Sequence, residues 1–149
     1  MREKIAEALK SALKLQDKRR VSTLRLIQAA IQDRDIANRG NGKDPVSDDE
    51  ILQILTKMVK QRQESARAFE EGARLELAAQ EREEIAIIAD FLPKQLGEAD
   101  VRHVCKQVVQ DVGAEGLRDM GRCMNVLKDK YAGQMDFARA SGIVKDLLQ

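Results

Sequence analysis

Residues 47–72, SDDEILQILTKMVKQRQESARAFEEG, contain a start signal, a period and a stop signal for one long helix. Ser47 followed three residues later by Glu50 is a capping box. The serine hydroxyl accepts from a free amide of the first turn, and the glutamate reaches back to the Ser47 amide. Asp48 and Asp49 put negative charge at the positive end of the helix dipole. Behind them Ile51, Leu55, Met58, Val59, Ala66 and Phe69 form one apolar stripe at helical spacing. Gly72 lets the chain turn.

The same period runs on both sides of this segment. Ile5, Leu9, Ala12 and Leu13 share a face within residues 3–16. Val21, Leu24, Ile27 and Ile31 repeat in a helix from about Arg19 to Asn38. NRGNGKDP (38–45) then breaks the pattern with the strongest turn formers. After Gly72 a further helix over about 74–91 places Leu75, Ala78, Arg82, Ile85 and Ala89 on one face. Pro93 cannot continue it and pushes the preceding residue out of the α region. Three shorter helices are predicted beyond, over about 99–112, 117–131 and 136–148. Gly113 and Gly116 separate the first pair, Gly133 suits a left-handed C′ position, and Asp136 is a fair N-cap. No strand alternation and no internal repeat appear. The expected architecture is all-α: an N-terminal four-helix domain over 1–93 and a small C-terminal three-helix bundle over 94–149.

Composition agrees. Aromatic residues are only 3% of the 149, while Ala, Leu, Glu, Lys and Arg abound. A chain of this length buries enough surface to need no disulfide or metal staple. The net charge of +1 does not announce a nucleic-acid binder, but the charges are unevenly placed. From Arg2 to Arg25 there are eight basic residues against three acidic ones; from Glu64 to Glu84 there are seven acidic against three basic. Either these faces attract one another, or each is simply solvated. Cys105 and Cys123 form no CxxC pair, which fits a reducing compartment and gives no metal-site spacing. No apolar leader and no run of about 18 apolar residues appears, so a cytoplasmic protein without membrane contact is expected. No long heptad register appears, and a monomer is the default.

Catalytic machinery is hard to find. His103 is the only histidine, and Cys105, two residues on, falls on a different helical face. A surface histidine and a buried cysteine explain the pair better than a dyad. EREE (81–84) has the look of a solvated charge run. No phosphate-cradling glycine loop precedes a helix, and no Gly-x-Ser-x-Gly element occurs. No catalytic, cofactor-binding or metal-binding residue is therefore assigned.

Gly121 raises a different question. A glycine inside the predicted 117–131 helix costs about 1 kcal/mol relative to alanine, and something must offset that. At about 100° per residue, Leu117, Met120, Met124, Leu127 and Tyr131 form an apolar stripe, and Gly121 lies at its edge. Arg118, Asn125 and Lys128 fall on the same edge, with Arg122 a little further round. A polyanion approaching the bare backbone would meet several donors at once. The competing reading is that Gly121 admits a tightly crossing helix while the basic residues face solvent.

Three segments carry a resemblance over nearly the whole chain: TLRLIQAAIQDRDI (23–36), KQRQESARAFEEGARLELAAQEREEIAIIADFLPKQL (60–96), and DMGRCMNVLKDKYAG (119–133) followed by IVKDLL. They resemble the YqeY-like family, whose C-terminal part is related to the tail domain of the GatB subunit of tRNA-dependent amidotransferase. The resemblance implies a helical N-terminal domain, a three-helix tail, and a tail that helps to hold tRNA while other domains do the chemistry. Gly121, Met124, Lys128 and Gly133 match; Gln134 stands where the family often has a basic residue, removing one expected phosphate contact. The resemblance also invites a label of carbon–nitrogen ligase with glutamine as amido donor, but this chain shows neither a nucleotide loop nor a nucleophile–base set.

The expectation is a non-catalytic tRNA- or RNA-associated accessory protein using Gly121, Arg118, Arg122, Asn125 and Lys128. Lys18, Arg19, Arg20 and Arg25 would give a second, less specific contact. The alternatives are a protein–protein adaptor, or an accessory subunit of an amidotransferase complex.

Overall fold

The computed structural model describes residues 1–149 and contains seven α-helices, one 3-10 turn and no strand. Its contacts divide it into two compact units, Met1–Pro93 and Lys94–Gln149. No helix is long and apolar enough to cross a membrane.

The first unit comprises α1 (Arg2–Lys14), α2 (Lys18–Gly40), α3 (Asp48–Glu71) and α4 (Leu75–Ala89). Asp17 caps α2, its carboxylate accepting from the Arg20 amide at 3.2 Å. At the start of α3, the Ser47 hydroxyl accepts from the Glu50 amide at 3.2 Å. The Glu50 carboxylate reaches back to Ser47 in turn, with the Ser47 backbone amide and, at 3.5 Å, the Ser47 hydroxyl as donors. Its Oε2 also accepts from Asn38 Nδ2 at 3.2 Å and faces Arg34 Nε at 3.4 Å. Asn38 is buried, and its amide needs a partner once it leaves water. This added contact ties the start of α3 to the end of α2.

Ile5, Ala12, Leu24, Ile27, Ile31, Val46, Ile51, Leu55 and Ile88 make the core of this unit. Each such large aliphatic side chain contributes about 1.5–3 kcal/mol when fully buried. The predicted stripes need three corrections. Leu13 is 48% exposed and Leu75 66% exposed. Arg82 lies outside and pairs with Glu70. The α4 stripe fails because that helix packs against both α3 and α2, so its buried residues, Ala78 and Ile88, do not follow a single line.

Four helices end in the same way. After α3, the Arg74 amide donates to Phe69 O at 2.7 Å and the Ala73 amide to Glu70 O at 3.1 Å. This is the Schellman pattern, which needs a left-handed residue at C′. That residue is Ala73 (φ 60°), while Gly72 has an ordinary φ of −84°. The glycine therefore does not make the turn. Gln16 (φ 57°) takes the same role after α1, and Gly42 and Gly113 take it after α2 and α5.

The second unit comprises α5 (Glu98–Val112), a 3-10 turn (Leu117–Asp119), α6 (Met120–Lys130) and α7 (Phe137–Leu148). Val101, Cys105, Val108, Cys123, Leu127, Met135, Ala140, Val144 and Leu148 form its core. Asp136 caps α7, accepting from the Ala138 amide at 3.1 Å. Gly133 is buried with φ 75°. Its carbonyl accepts from Gln95 Nε2 at 2.5 Å, and the Leu96 amide donates to Gln134 O at 2.9 Å. Gln95 and Leu96 are thus fastened to the turn between α6 and α7.

Candidate functional site

α6 starts later than its sequence period suggests. Residues 117–119 form a 3-10 turn, so Gly121 sits in the first turn of α6 rather than its second. Leu117 is correspondingly 48% exposed, and Cys123 with Leu127 provides the buried contact. The early position lowers the cost of the glycine, since fewer intrahelical bonds depend on it.

The surroundings of Gly121 are open. A Cβ built on it meets no heavy atom within 4 Å. No helix crosses there, so close packing does not account for the glycine. Arg118 in the 3-10 turn and Arg122, Asn125 and Lys128 on α6 are all exposed. Their charges are not equally available. Arg118 Nη2 lies 3.6 Å from Glu115 Oε2, with both side chains 81% exposed, a geometry worth little. Arg122 Nη1 lies 3.2 Å from Asp119 Oδ1, and Nη2 donates to Val112 O at 2.7 Å. Arg122 therefore brackets the last turn of α5, where a cation suits the negative end of the helix. Asp119 also accepts from the Glu115 amide at 3.0 Å; that bond and the two nearby arginines hold its carboxyl below the usual range. Lys128 makes no ion pair and is the free cation of the group.

The cluster in α2 divides in two. Arg19 Nη1 meets Glu83 Oε2 at 2.6 Å, and Arg20 Nη2 meets Asp90 Oδ2 at 3.5 Å. The basic first hairpin thus pairs with the acidic second one through these residues. Lys18 and Arg25 point elsewhere, and both line a groove of about 740 Å³ together with Leu13, Gln16, Val21, Ser22 and Leu26. The sequence period overlooked this groove. Its signal was Leu26, an apolar residue off the Leu24–Ile27–Ile31 stripe.

No group of three or more His, Cys, Asp or Glu side chains converges in a way that could hold a metal ion. His103 is exposed whereas Cys105 is fully buried, so the two do not share a site. Burial pushes the thiols of Cys105 and Cys123 up, away from the reactive thiolate.

Residues 2–148 match the family described as Yqey-like protein. The chain belongs to the YqeY-like family. No curated protein matches it. In this YqeY-like chain, the residues that carry the resemblance have different surroundings. Gln95 of the LPKQL segment is bonded to Gly133, whereas Gly121 and Lys128 face outward.

Proposed function

We propose that this YqeY-like chain is a non-catalytic, RNA-associated accessory protein of the reducing cytoplasm. Its C-terminal unit holds tRNA or a comparably structured RNA along α6, as the likeness to the GatB tail implies. The observation that carries this reading is the uncovered backbone at Gly121, set among exposed Arg118, Asn125 and Lys128. A phosphate can approach a residue that has no side chain, and neighbouring cations and amides then fix its position.

Lys128 is the cleanest probe, because Arg122 also braces α5 and its removal would confound binding with folding. Anisotropy of labelled tRNA over a salt series tests the reading. Lys128→Ala is expected to weaken binding at every salt concentration and to lower the slope of log K against log salt by about one. No binding at low salt removes the proposal.

Protein–protein adaptor is the second reading. It is favoured by the ion pairs that occupy Arg19 and Arg20, which leave the N-terminal unit less charge for RNA than its sequence suggests. A stoichiometric protein partner recovered without RNA would select it.

A further inference from the structure

We propose that the groove between α1 and the first half of α2 is a docking site for an acidic amphipathic helix of a partner protein. This inference is independent of what the C-terminal unit binds.

The groove is lined by apolar and basic side chains. Leu13 is 48% exposed and Leu26 50%, and Val21 lines the groove with them. Leu15, beyond the end of α1, is 78% exposed. Side chains of this size are normally covered, and a cluster on one face marks a contact surface. Lys18 and Arg25 stand on the lining, and no acidic residue lines it. Neither cation makes an ion pair in the fold, although Arg19 and Arg20 on the same helix both do. The fold has therefore left positive charge uncompensated beside exposed leucines.

That combination selects the occupant. No aromatic side chain lines the groove, so it offers no platform on which an unpaired base could stack. Apolar anchors at helical spacing flanked by carboxylates complement both the apolar and the basic lining residues. The lining of α2 from Lys18 to Leu26 rises about 12 Å, room for roughly two turns of a partner helix. A second copy is a poorer fit. The exposed corner at Glu71, Leu75 and Glu76 offers a single leucine between two glutamates, against the three apolar side chains that line the groove.

The test uses the full chain and a labelled helical peptide of about 14 residues, with leucines at i, i+4 and i+7 and glutamates on its other face. A control peptide replaces every glutamate with lysine. Anisotropy is expected to show saturable binding of the acidic peptide and at least about tenfold weaker binding of the lysine peptide. Leu26→Glu, at a half-exposed site that leaves the core intact, should weaken the acidic peptide about tenfold or more, with the helical circular dichroism unchanged. Arg25→Glu, a second surface variant, should do the same. Saturating tRNA should leave the peptide bound. Equal affinity for the two peptides, no effect of either variant, displacement of the peptide by tRNA, or self-association that shields Leu26 would each overturn the proposal.

Discussion

Asp35 and Arg2 are joined by two parallel hydrogen bonds, Arg2 Nη2 to Oδ1 at 2.7 Å and Nη1 to Oδ2 at 2.9 Å. Oδ1 also accepts from the Val46 amide at 2.9 Å. One carboxylate thus connects α1, α2 and the segment leading into α3. The Arg2 fork, then the Val46 amide, hold the Asp35 carboxyl down from 3.8 to about 2. Folding therefore favours the ionised form. The stabilisation is complete above the unfolded pKa and is lost as pH falls from about 4 through about 2. Thermal melts over this range should show Asp35→Asn below the natural chain at neutral pH and the two converging near pH 2. Parallel curves at a constant offset would contradict the linkage.

Ala73, and not its glycine neighbour, carries the left-handed turn between α3 and α4. Ala73→Gly relieves a conformation that costs an L-residue about 1–2 kcal/mol, less the added freedom of the unfolded chain. A net gain of about 0.5–1 kcal/mol in urea unfolding is expected. Gly72→Ala should lie within about 0.5 kcal/mol of neutral, since its new methyl would sit 3.4 Å from Ala68 O in ordinary contact. Loss of stability in Ala73→Gly would count against this assignment of the turn.

Gly121→Ala separates helix propensity from function. With nothing in the path of the methyl group, the variant should be more stable by about 0.5–1 kcal/mol. If phosphate approaches the bare backbone, the same variant should bind tRNA about threefold or more weakly. A stabilised variant with unchanged tRNA affinity would show that the missing side chain plays no part in binding.

Cys105 and Cys123 are fully enclosed in the second core, and burial is the first cause of their raised pKa values. At about pH 8 both thiols should react with a disulfide reagent ~100-fold or more slowly than free cysteine, and fully once the chain is unfolded. Fast reaction of either thiol in the native protein would mean that this core opens readily.

Much of the candidate site could be read from residue types, but its electrostatic condition could not. The position of Gly121 beside Arg118, Asn125 and Lys128 follows from helical spacing. Whether another helix covers it does not, and the structure leaves it open. Arg19 and Arg20 read as a basic cluster because their partners, Glu83 and Asp90, lie 64 and 70 residues away. The left-handed turns divide similarly. Gly42 and Gly113 are visible as glycines, whereas Gln16 and Ala73 reveal nothing by composition.

Local physics is what the chain alone settled. Apolar period, the Ser47 and Asp136 caps and the break at Pro93 fixed the all-helical class and each helix to within a few residues, because these signals act over one or two turns. Folding in three dimensions settled what is covered and what is neutralised. It exposed Leu13, Leu26 and Leu75, drew the Glu50 carboxylate to Asn38, engaged Arg122 at the end of α5 and left Lys128 free. Burial and ion pairing depend on which helices meet, and a periodic stripe does not specify its partner.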